Sequence, residues 1–299
     1  MKLILGLILM LLVASCLTVS TEQRRMVQQF AKRAENFSVY PEKIGIELAG
    51  IREDRGLYYA NSLTDVTTHL HELDAILAER RHDDKVSAGA SAAFRLLDKY
   101  AKGVLQLSSD LPYKTRSALF VRFGTEMDTL VEKFNQVAVS QRLPSGIGSL
   151  LTRILDEATN GFLAGRQVSL LKRYVVNADT LVAAVCVEME RWLNSEQLQL
   201  LIQNESSGVQ ESFTFYYTRR SSPPLESDKA YLDLKRRVES LNPLRSQCVR
   251  TVRSLAVAHH KLAEVLSRRR TAREMLDELN DFYRETERLR SLYEALNKL

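Results

Sequence analysis

Tyr59, Leu63, Val66, Leu70, Leu73 and Leu77 follow one another at spacings of four and three without a miss. No other feature constrains the fold as strongly. An apolar residue about every 3.5 positions marks one side of an α-helix, so the run predicts a helix whose seam another helix must cover. Val86, Ala90, Ala93, Leu97, Tyr100, Val104 and Leu107 form a second row, and Phe120, Phe123, Met127, Leu130, Phe134 and Val137 a third. The breaks between the rows are brief: His82 to Asp84, Asp110 to Pro112, then Leu143 to Gly148 with Pro144 and two glycines. Brief connections predict antiparallel neighbours.

Ser149 to Ser206 contains no proline, and within it Leu181 to Val187, "LVAAVCV", is apolar on every face. Such a helix belongs at the centre of a bundle. Unbroken, it would run about 87 Å at 1.5 Å per residue and serve two packing layers. A further row follows at Tyr231, Leu234, Val238, Leu241, Cys248, Val252, Leu255, His259, Leu262 and Leu266, with Asn242 and Pro243 restarting or kinking the helix. Met275, Leu279, Phe282, Thr286, Leu289, Tyr293 and Leu296 repeat the spacing out of phase. Either the chain turns near Ser267 to Thr271 or one long helix changes the face it buries. The fold class expected is all-α: an elongated antiparallel helical bundle in two tiers joined by one long central helix. Its body spans 53–299. Ser20 to Arg33 reads as a short helix or tether, and Phe37 to Ile51 as irregular, because of Pro41, Gly45 and Gly50.

The amino terminus is of a different kind. Lys2 is followed by an apolar run from Leu3 to Val13 and then by Ala14, Ser15 and Cys16. A bilayer span needs roughly 20 apolar residues, and Thr18, Ser20, Thr21 and Glu22 arrive too early for that, so 1–15 has the outline of a signal peptide. Val13, Ala14, Ser15 and Cys16 resemble the lipobox of bacterial lipoproteins, a resemblance that covers the first twenty residues. Leu96 to Ser108, "LLDKYAKGVLQLS", also resembles helices of uncharacterised periplasmic all-helical lipoproteins. The lipobox implies that the Cys16 thiol takes a diacylglyceryl thioether, that the leader is removed and that the new amino terminus is acylated. Residues 16–52 would then be a lipidated amino terminus and tether. Leu17 stands where an Asp would retain such a protein at the inner membrane, which implies the outer membrane, facing the periplasm, in a bacterium with two membranes. The residues also fit an ordinary signal peptide with an incidental cysteine, or an uncleaved anchor.

Export changes the meaning of the charge. The chain carries +5, and loss of 1–15 removes one lysine and no acid, leaving +4. Basic groups such as Arg219 and Arg220, Arg236 and Arg237, and Arg268 to Arg270 are interspersed with acids, as on solvated helical faces, so no nucleic-acid partner is expected. Anionic lipid or an acidic partner is the lesser alternative. Cys186 and Cys248 could form a disulfide if their helices pack antiparallel, since both would stand at similar height. Otherwise they are small apolar fillers.

No catalytic, cofactor-binding or metal-ligating set emerges. His69 and His71 point to opposite sides of a helix and cannot share a zinc ion. Ala75 stands where a helical zinc protease needs its second histidine. Gly146 to Ser149, "GIGS", lacks the third glycine of a dinucleotide loop. His259 falls on the apolar row as a core histidine with a satisfied ring. Phe213, Phe215, Tyr216 and Tyr217, with Arg219 and Arg220, form an aromatic and cationic stretch expected in the longest interruption between helices. Its composition suits a partner contact, or a loop whose rings cap the bundle. Two functions follow: a non-enzymatic lipid-anchored scaffold or interaction module bound to another envelope protein, or a periplasmic small-molecule binding or sensor protein with its ligand between helices. An enzyme is the least favoured class.

Overall fold

The computed structural model describes residues 21–109, 126–136, 138–139, 142–144, 146–160, 164–220, 222–268 and 272–297. These residues fold as an all-α bundle, with no strand among them. Cys16 and the leader lie outside the described residues, as do 110–125, 161–163 and 269–271.

The packed helical body begins well before residue 53, and the helical alternative for Ser20 to Arg33 is the one found. Helix α1 (Thr21–Ser38) is no tether: Met26, Val27, Phe30, Ala31, Ala34 and Phe37 are all buried. Helix α2 (Tyr40–Ala60) occupies the stretch expected to be irregular. Pro41 falls in its first turn, where the missing N–H would have no intrahelical partner anyway. Gly56 is helical as well, and its bare face lets Ile76 of the next helix approach to where a Cβ would stand 2.9 Å from it.

The first seam is cut by a turn. Asn61 to Asp65 reverse the chain through bonds from Ser62 N to Tyr59 O at 2.9 Å and Leu63 N to Ala60 O at 3.0 Å. Asp65 then caps helix α3 (Val66–Ser108) by accepting from Thr68 N at 2.7 Å. His69 closes the same turn by donating from Nδ1 to the Ala60 carbonyl at 2.7 Å. The expected break at His82 to Asp84 does not occur, since α3 continues through it for 43 residues. Polar residues without Gly or Pro are compatible with a helix.

Residues 126–136 are helical and bury Met127, Val131 and Phe134. Among the described residues, the predicted 58-residue helix falls in four helical spans: α4 (Ile147–Asn160), α5 (Ala164–Asn177), α6 (Asp179–Leu193) and α7 (Glu196–Thr218). Ala178, itself in the α region, separates α5 from α6, and Ser195 starts α7 by accepting from Leu198 N. A run free of proline thus still breaks where an Asn and a capping Ser stand together. Helix α8 (Leu225–Arg268) continues through Pro243, and α9 (Ala272–Leu296) packs back along it, with Gln247 and Thr251 of α8 both reaching the Glu285 carbonyl. Of the two arrangements the phase shift permits, the turn is the one adopted.

Helices α3 and α8, rather than one central helix, meet most of the others. Helix α3 packs on α1, α2, α5 and α6, and α8 on α2, α5, α6, α7 and α9. The buried apolar side chains form one continuous cluster running from Met26 to Leu296. The described helices therefore close their core without the first twenty residues. No helix among the described residues is long and apolar enough to cross a membrane.

Candidate functional site

The polar centre of the bundle is a chain of side chains from three helices. His259 of α8 is fully buried. Its Nδ1 lies 3.0 Å from Asp179 Oδ1 at the start of α6, and its Nε2 lies 2.6 Å from the Tyr100 hydroxyl of α3. A carboxylate only accepts, so Nδ1 carries the proton and Nε2 accepts from Tyr100. The second Asp179 oxygen takes Nδ1 of the exposed His260 at 2.8 Å. Burial pushes His259 below its ordinary value, although Asp179 opposes the shift. The bond from His259 holds the Asp179 carboxyl below its own ordinary value. The Tyr100 ring stacks on Tyr174 of α5, centroids 5.7 Å apart, and meets His259 edge-on. Phe30 of α1 and Phe282 of α9 complete this layer. The arrangement satisfies a neutral imidazole and ties helices together, as expected of a core histidine. The sequence shows no trace of the Asp179 and Tyr100 partners, which are 80 and 159 residues away.

A second polar set joins α2 to its neighbours. Glu205 of α7 is buried and accepts from Arg52 Nε at 2.7 Å and Arg55 Nε at 2.6 Å. Gly208 leaves room for Arg55, since a Cβ there would stand 2.7 Å from the guanidinium. On the other side of α2, Arg237 of α8 pairs with Glu47 and with Asp54, the latter at 2.8 Å. Neither set was visible in the sequence, because isolated charges on helices normally face water.

The aromatic stretch is not an interhelix loop. All four rings lie within the last turns of α7. Phe213 and Tyr216 are buried, Tyr58 packs on both, and Tyr231 packs on Phe213. Tyr217 donates to Asp228 at 2.7 Å, and burial and that carboxylate push its hydroxyl up. Arg220 lies over the Tyr216 ring and donates to Asn61. These rings join the ends of α2, α7 and α8. Phe215, edge-on to Tyr59, and Arg219 face outward.

Cys186 and Cys248 are both buried and both free, so the alternative of a disulfide is not the one found. Burial raises both thiols, Cys186 to about 12. Among the described residues no group of His, Cys, Asp and Glu could hold a metal ion.

Two surface features remain. Val66, Leu70 and Leu77 of α3, members of the first apolar seam, are 71%, 56% and 55% exposed. Between α7 and α8 lies a groove of about 480 Å³ lined by Gln199, Ile202, Gln203, Ser206, Val238, Glu239 and Asn242. The chain matches no protein-family model, no curated protein and no solved structure.

Proposed function

We propose that the protein is a lipid-anchored envelope protein whose helical body is a scaffold or interaction module, not an enzyme. The anchor reading rests on Val13 to Cys16. The single observation behind the interaction reading is the row Val66, Leu70 and Leu77. Residues at heptad spacing suit the groove of a partner helix, and here they meet water. An envelope protein that offers an apolar helix is the partner this row fits, with Phe215 and Arg219 as a separate outward pair on α7.

Mass spectrometry of the natural product tests the anchor. The expected amino terminus is a diacylglyceryl Cys16, and an intact leader or bare thiol rejects it. Pull-downs from envelope extracts compare wild type with Leu70→Ser/Leu77→Ser. Loss of one specific protein supports the interaction reading, and an unchanged set of captured proteins rejects that surface. The groove between α7 and α8, with an apolar floor and amide rim, favours a second reading as a small-molecule binding protein. A metabolite that raises the melting temperature of wild type but not of Ile202→Trp would support it.

A further inference from the structure

A second groove, of about 470 Å³, runs between the middle of α3 and the helical segment 126–136. The two elements are antiparallel. Lys99 of α3 pairs with Glu126 at the start of the segment. Past the segment's other end, Val139 N donates to Glu188 of α6, one turn before Trp192, whose ring meets Phe94 of α3. Lower numbers on α3 therefore stand level with higher numbers on the segment. That brings Arg95 and Lys133 to one end of the groove and leaves Lys99 and Glu126 at the other.

The charges lining the groove do not balance. Both of its carboxylates are engaged: Glu126 accepts from Lys99, and Asp98 accepts from Lys102 at 2.8 Å. Arg95 and Lys133 are exposed and have no hydrogen bond or ion pair among the described residues. Asp128 and Glu132 lie on the same segment outside the lining, and Asp128 takes the Ser149 hydroxyl at 3.0 Å. Two positive charges thus share one end of the groove without a counter-ion. Beside them Leu130, packed against the core, supplies an apolar wall. Long cationic side chains add their stems to such a surface while their heads stay in water.

We infer that this groove binds a small soluble phosphate monoester, its dianion held by Arg95 and Lys133 and its apolar body resting on Leu130. A guanidinium offers phosphate oxygens two parallel N–H donors, and an ammonium adds a point charge. The two charges of the monoester match the two uncompensated cations, where a carboxylate would leave one over. A groove of this volume is of the size that small ligands fill. The site is separate from the groove between α7 and α8 and from the row Val66, Leu70 and Leu77, and it does not depend on lipidation of Cys16.

Phosphorus NMR of phenyl phosphate at about pH 8, where the phosphate is a dianion, reads binding to the chain from residue 17 onward, which retains the whole described core. Saturable broadening is expected, with a dissociation constant of about 1 mM or tighter, as a ligand of this size reaches at modest efficiency per atom. Benzyl alcohol at equal concentration is expected not to displace it. Arg95→Gln/Lys133→Gln is expected to weaken binding about a hundredfold, from about tenfold for each charged contact. Lys32→Gln/Lys229→Gln, an equal loss of charge at exposed positions of α1 and α8, is expected to retain it. Circular dichroism establishes that both variants fold. No saturable binding of phenyl phosphate, equal losses in the two variants, or displacement by benzyl alcohol would each overturn the inference. So would sedimentation with vesicles of phosphatidic acid and phosphatidylcholine in the absence of phenyl phosphate binding, since the ligand would then be a lipid headgroup and not a soluble ester.

Discussion

At the scale of single residues, the two stacked tyrosines should respond to the same substitution in opposite ways. Tyr100→Phe removes the donor to His259 Nε2 and leaves a buried acceptor unsatisfied, a loss of about 1–3 kcal/mol. The Tyr174 hydroxyl is buried with no partner among the described residues, so Tyr174→Phe should be neutral or stabilising. Urea unfolding of the two variants checks both. His259 also sets a pH dependence. Its folded value lies below the ordinary 6.5, so beneath that pH the unfolded chain binds more protons and stability falls as pH drops toward the folded value. Asp179, lowered from 3.8, stabilises above that value and loses its contribution as pH falls through the folded one. The melting temperature should therefore be level above about pH 6.5 and fall below it, and His259→Gln should remove the first decline. Glu205→Ala would remove the buried acceptor shared by Arg52 Nε and Arg55 Nε and should cost about 3 kcal/mol. His259 could be read from the sequence as a core histidine because it sits on an apolar row. Asp179 and Glu205 could not, because nothing local separates a carboxylate that meets a distant cation or imidazole from one that meets water.

At the scale of elements, periodicity located helices but not their ends. The seam from Tyr59 to Leu77 kept its phase through the turn at Asn61 to Asp65, so spacing alone concealed the reversal. The cap at Asp65 and the helix-compatible polar run at His82 to Asp84 were the better guides. Ser149 to Ser206 erred in the other direction, since absence of proline does not guarantee continuity when Asn194 and Ser195 can close one helix and cap the next. Helix α8 shows the converse, a proline held within 44 residues of helix. An interior proline forfeits one backbone bond and crowds the carbonyl four residues earlier. Pro243→Ala should accordingly raise stability by about 1–3 kcal/mol, measured as a higher urea midpoint. An unchanged or lower midpoint would mean that the surrounding helices have fitted themselves to the proline.

At the scale of the whole molecule, local pattern was enough to give an all-α body among the described residues and the apolar side of most helices, because a period near 3.5 is a property of the local backbone. Long-range packing, not local pattern, put α1 and α2 in the core, gave α3 and α8 the organising role and set the aromatic stretch of α7 against the ends of α2 and α8. It also left Val66, Leu70 and Leu77 in water despite their seam-like spacing. The physical reason is common to all of these. A helix declares which face is apolar through its own residues, but what covers that face, and which charges become neighbours, depends on segments tens to hundreds of residues away.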